Sequence, residues 1–106
     1  MGLFTRRRSR AQRKADRAVE DASARHLSEF VHSRRGVEAF VEAPTSFNPP
    51  SMVLIAHDGE WTRRSVPSVS WAHTFATHHE IPGYDAAVVG YPQRMRDWNA
   101  RKKLRG

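Results

Sequence analysis

The stretch Met52-Val53-Leu54-Ile55-Ala56-His57-Asp58-Gly59-Glu60-Trp61-Thr62-Arg63-Arg64-Ser65-Val66 decides the fold. Its first five residues are apolar on both faces, as in a strand covered from above and below. Asp58-Gly59 is a strong hairpin signal, because both residues tolerate the positive φ that a tight turn demands. Residues 61–66 then return beside the first strand.

Upstream, Val37, Ala39, Val41 and Ala43 alternate with Glu38, Phe40 and Glu42, which predicts a half-buried strand. Residues 44–51, with Pro49-Pro50, read as a loop. From about residue 9 to Arg35 there is neither proline nor glycine, and Ala, Arg, Glu and Lys favour helix. Val19, Leu27, Phe30 and Val31 form its apolar stripe. Ala15, Ala18 and Ala22 offer little to bury, so the last half should dock and the first half project or fray. Asp21–Arg25 and Arg25–Glu29 have the i,i+4 spacing of helix ion pairs. Gly36 suits the position just past the helix end.

Downstream, Pro67-Ser68 opens a short helix carrying Val69, Trp71, Ala72, Phe75 and Ala76. Ile81-Pro82-Gly83 ends it, and residues 84–89 read as a fourth strand. Joined to the third strand through a helix, the fourth runs parallel to it if the two are neighbours. Pro92 opens a last short helix with Met95 and Trp98 on one side. The fold class is α+β. A long N-terminal helix leads into a small sheet of about four strands, a three-strand meander followed by a helix and the fourth strand. A basic C-terminal tail or short helix follows. As domains, this gives a basic arm over 1–17, one small domain over 18–91 and a basic tail over 92–106.

Charge follows the same divisions. The 106 residues carry 18 Lys+Arg, 11 Asp+Glu and a formal charge of +7. Residues 1–36 contribute +6, residues 37–91 contribute −4 and residues 92–106 contribute +5. A mildly acidic middle thus separates two basic ends, and such asymmetry speaks about partners rather than fold. With no cysteine, disulfides, thiolate zinc sites and thiol catalysis are excluded. No apolar run is long enough to span a membrane. Arg6-Arg7-Arg8 runs on into polar residues rather than a signal-peptide core, so the expected location is cytoplasmic.

Arginine forks match phosphate oxygens and gain affinity from counterion release. The candidate nucleic-acid contacts are Arg6, Arg7, Arg8, Arg10, Arg13 and Arg17, assisted by Arg94, Arg96, Arg101, Lys102 and Lys103. The expected partner is a polyanion, RNA or the ribosome foremost, with the sheet as a rigid spacer or protein-binding surface. Leu3 and Phe4 ahead of three arginines offer a second reading, docking on an anionic membrane surface. Tyr91, Met95 and Trp98, spaced i, i+4, i+7, have two uses. They pack back onto the sheet, or their rings stack on unpaired bases.

The enzyme signatures G-x-G-x-x-G, G-x-x-x-x-G-K-[ST], G-x-S-x-G and H-E-x-x-H do not occur. His73, His78 and His79 are spaced five and six residues apart rather than i,i+4, and His57 sits at the hairpin. The reading is therefore non-enzymatic, with no catalytic residue, no metal and no cofactor.

Two resemblances bear on this reading. Helix, three strands, helix is the element order of a double-stranded-RNA-binding domain. In those domains the approach to the second helix is lysine-rich, whereas residues 66–73 here carry no Lys or Arg, so that reading is rejected. The strings His57-Asp58-Gly59-Glu60-Trp61-Thr62-Arg63-Arg64 and Val88-Val89-Gly90-Tyr91-Pro92-Gln93-Arg94-Met95-Arg96-Asp97-Trp98 resemble a family of short, basic actinobacterial proteins of unassigned function. The resemblance covers about residues 37–101. Members are sometimes named oxidoreductase, which implies a small enzyme as a third reading but supplies no catalytic residues.

Overall fold

The computed structural model describes residues 9–105, the side chains of Asp16 and Val19 apart. Arg6, Arg7, Arg8 and the Leu3-Phe4 pair lie outside the described residues. The order is α1 (Arg10–Ser33), β1 (Glu38–Glu42), β2 (Ser51–Ile55), β3 (Trp61–Ser65), α2 (Val69–His78), β4 (Gly83–Asp85), α3 (Ala86–Val89) and α4 (Gln93–Leu104). These form an α+β domain around one mixed four-stranded sheet, ordered β3-β2-β1-β4. Among the described residues, no helix is long and apolar enough to cross a membrane.

β1, β2 and β3 form the antiparallel meander, with Phe40 opposite Val53 and Leu54 opposite Thr62. β2 is buried on both faces from Met52 onward, as its apolar run demands. β3 and β4 are not neighbours. The crossover through α2 carries the chain to the far edge, where β4 runs parallel to β1 with Phe40 opposite Tyr84. β4 is also shorter than expected. The Asp85 carboxylate accepts from the Ala87 amide at 2.9 Å, capping a turn of helix where residues 86–89 were expected to stay extended.

Each sheet face has its own apolar core. On one, Leu27 and Phe30 of α1 and Ala72, Phe75 and Ala76 of α2 cover Ala39, Val41, Met52 and Leu54. On the other, Met95 of α4 covers Phe40, Val53 and Ile55, with Trp61, Tyr84 and Tyr91 at the margin. β1 is therefore buried on both faces rather than half-buried. The helix expected to be short is twelve residues long and supplies the missing cover.

The helix ends follow local chemistry. Ser9 caps α1, its hydroxyl accepting from the Gln12 amide at 3.1 Å. Ser68 caps α2 by accepting from the Trp71 amide at 2.9 Å. α1 stops at Ser33 with Arg34 already extended, so Gly36, at φ +59°, turns the chain into β1 rather than closing the helix. α2 ends in a Schellman motif: Ile81 donates to Ala76 O at 3.0 Å and Glu80 to Thr77 O at 3.1 Å. This motif, not the following Pro-Gly, terminates the helix. Gly59, at φ +94°, closes the β2–β3 hairpin directly beneath α4.

Candidate functional site

The C-terminal half of α1 packs: among its described side chains Ser23 is the first buried, and Leu27 and Phe30 follow at helical spacing. Arg34 pairs with Glu60 at 2.7 Å, while His26 lies against Thr62 and Arg64. The helix therefore runs antiparallel to β3, and its N-terminal half projects beyond the Ser65 end of the sheet. There Arg10, Arg13, Lys14 and Arg17 are all exposed. Their i, i+3, i+4, i+7 spacing sets them on one side of the helix, turned away from the docking face. Lys14, which the sequence reading left out of the candidate contacts, completes this stripe; its i+4 spacing from Arg10 is the signal that could have found it.

The C-terminal candidates have different situations. Arg94 is half-buried: its Nη2 donates to Glu38 at 2.5 Å and its Nε to the Ala56 carbonyl at 3.0 Å. Arg96 donates to the Gln93 side chain at 3.0 and 2.8 Å and to the Tyr91 carbonyl at 3.2 Å, tying down the first turn of α4. Arg101 donates to the Asp58 carbonyl at 2.8 Å and lies 5.8 Å from the Trp98 ring. Lys102 stands 5.7 Å from the same ring, and Lys103 is exposed. These contacts run α4 outward past the Asp58 hairpin. The basic half of α1 and the basic end of α4 thus leave opposite ends of the sheet, from opposite faces. They do not form one patch.

The acids of β1 are consumed beneath α4. Glu38 also accepts from the Tyr84 hydroxyl at 3.0 Å, and Glu42 accepts from the Tyr91 hydroxyl. Arg63 grips Glu42 with two bonds, at 3.0 and 2.9 Å, which holds the guanidinium pKa above its ordinary value. The Tyr84 phenol is pushed up chiefly by its bond to Glu38, and that of Tyr91 by burial and then Glu42. Tyr91 and Met95 pack on the sheet, the Tyr91 ring 5.8 Å from that of Phe40, and Trp98 seats its β-carbon over Gly59.

A pairing the sequence did not suggest is that of His26 Nε2 with Thr62 Oγ1, at 2.6 Å. It has the partners of a base and a nucleophile, but the wrong proton. Arg64 can only donate, and its Nη2 faces His26 Nδ1 at 3.3 Å. Nδ1 therefore accepts, the proton sits on Nε2, and the imidazole donates to Thr62 instead of taking its proton. Burial, and then the Arg64 charge, lower the His26 pKa.

Of the other histidines, His79 packs tilted against Phe75 at 4.2 Å between ring centres, with His78 and His32 at 5.3 and 5.4 Å. Its pKa is lowered by burial and then by those two imidazoles. Among the described residues, no group of three or more His, Asp or Glu side chains is placed to hold a metal ion.

Two small clefts adjoin these networks. One, of about 230 Å³, is lined by His26, Glu29, Arg34, Glu60 and Thr62 among others, where Arg34 and Glu60 already neutralise each other. The other, of about 180 Å³, is lined by Phe40, Tyr84, Val89, Gly90, Tyr91 and Pro92. Its phenol hydroxyls are bound to Glu38 and Glu42, so it offers ring faces rather than reactive groups. No protein family, curated protein or solved structure matches the chain.

Proposed function

We propose that this protein is a non-enzymatic module that docks on a polyanion, RNA or the ribosome foremost, through the projecting half of α1. The observation that carries this reading is the exposed stripe Arg10, Arg13, Lys14 and Arg17 on a helix held out from the sheet. A helix so placed meets a phosphate backbone without rearrangement of the fold, and each neutralised phosphate releases counterions. Lys102 and Lys103 act as a second, separate contact at the far end of the sheet. Arg94 and Arg96 serve the fold. Binding of this kind reads charge and shape rather than sequence.

The test is fluorescence anisotropy with mixed-sequence RNA across a salt series, on the full chain and on a triple variant with Gln at Arg10, Lys14 and Arg17. The full chain should bind at low salt and weaken steeply, with a log–log slope of about −0.7 to −0.9 per phosphate contacted. The triple variant should bind at least about tenfold more weakly, with a slope lower by about three. Equal binding by both chains, or none by either, overturns the reading. Binding to anionic vesicles in place of RNA transfers it to the membrane alternative.

A further inference from the structure

We propose that Phe47 stacks on an unpaired base of a single-stranded RNA whose backbone follows the α1 stripe, a proposal that rests on the polyanion reading above. Phe30, Phe40 and Phe75 are buried, whereas Phe47 is 92% exposed. The β1–β2 loop holds it out. The Thr45 hydroxyl accepts from the Phe47 amide at 3.2 Å and the Asn48 amide at 3.0 Å, and the Thr45 amide donates to the Asn48 carbonyl at 2.9 Å. Pro44, Pro49 and Pro50 stiffen the flanks. The Val66 amide donates to the Pro50 carbonyl at 2.9 Å, which ties the loop to the end of β3. A ring fixed in this way loses little conformational freedom when a base covers it.

The sheet register brings this loop to the end from which the stripe projects. Glu42 is opposite Ser51 and Ser51 opposite Ser65, so residues 43–50 leave the sheet where α1 runs past it. α1 lies over β3 and β2, and the loop leads into β2. Arg64 stands exposed at the same end. Its guanidinium meets the Arg63 carbonyl at 3.1 Å and the His26 ring at 3.3 Å, but no carboxylate among the described residues. With Arg10, Arg13, Lys14, Arg17 and Arg25 it makes six cations against the acids Asp16, Glu20 and Asp21. That charge favours a phosphate backbone, and the surroundings of the ring favour a base. Thr45, Ser46 and Asn48 beside it are polar and exposed. Their side chains can bond a base edge in water, whereas sinking the ring into a bilayer or an apolar protein surface would drag them along. Duplex RNA stacks its bases on one another, so a single strand alone offers the ring a free face.

The test is anisotropy of the full chain, Phe47→Ala and Phe47→Trp with an unstructured single-stranded RNA of about twelve nucleotides and with a duplex of equal length. Phe47→Ala should bind the single strand at least about fivefold more weakly, the low end for one base–aromatic stack. Its duplex affinity should stay within about twofold, and its salt slope should match the parent's, because no charge is changed. Phe47→Trp should keep the parent's affinity. All three chains should melt together, since the side chain stands in solvent. Single-strand binding untouched by Phe47→Ala overturns the stack and leaves the α1 reading standing, whereas a parent that binds no RNA overturns both. An equal loss on single strand and duplex, or a loss confined to anionic phosphatidylglycerol vesicles, also overturns the stack.

Discussion

Arg94 and Glu38, 56 residues apart in sequence, meet at 2.5 Å beneath the first turn of α4. The same guanidinium holds the Ala56 carbonyl at 3.0 Å, so one side chain joins the last helix to the first two strands. Arg94→Ala should cost about 1–2 kcal/mol in urea unfolding, the value of charge-assisted bonds discounted for partial exposure. It should leave RNA affinity within about twofold, because the helix α1 stripe is untouched. A large loss of affinity with unchanged stability would return Arg94 to the contact surface.

Gly59 is the tightest point between the hairpin and α4. A β-carbon there would overlap the Arg94 carbonyl, and the residue sits at φ +94°. Gly59→Ala should therefore cost on the order of 2–4 kcal/mol, strain and overlap together. Near-ultraviolet circular dichroism should show Trp61 and Trp98 losing their fixed surroundings as α4 lifts.

Glu80 occupies the left-handed position of the α2 Schellman motif at φ 56°, where a side chain is a burden. Glu80→Gly should raise stability by about 1 kcal/mol. An unchanged or lowered melting temperature would show that the glutamate makes up for its strained backbone.

His26 and His79 both have folded-state pKa values below the ordinary 6.5. On acidification the unfolded chain takes up their protons first, so the contribution is complete above about pH 6.5 and is lost as pH falls through the folded values. Urea midpoints should decline from pH 7.5 to pH 5. His26→Gln combined with His79→Gln should flatten that decline, and an equal slope in the double variant would place the sensitivity elsewhere.

The legible parts of the fold were those whose chemistry is local. The apolar run at 52–56, the Asp58-Gly59 turn, the Ser68 cap and the Pro92 start each announce themselves within a few residues. Ala86-Ala87-Val88-Val89 does not, because small and β-branched residues suit strand or helix alike. The Asp85 cap decided it. Phe40 looked like an outward residue between two glutamates, since nothing near it reveals that Met95 covers it. Among the candidate site residues, the helix α1 stripe could be read from spacing alone. Arg94 could not be told from its basic neighbours, because only tertiary contact assigns it to Glu38.

The cover for Phe40, Val53 and Ile55 comes from Met95, 30 residues after the meander ends at Ser65 (95 − 65). Synthesis proceeds from the N-terminus at about 5–20 residues per second, so the meander is complete well before that cover has been made. For those seconds, and until the last helix clears the exit tunnel, an apolar sheet face lies bare to other nascent chains. Any truncation ahead of Met95 would make that transient hazard permanent.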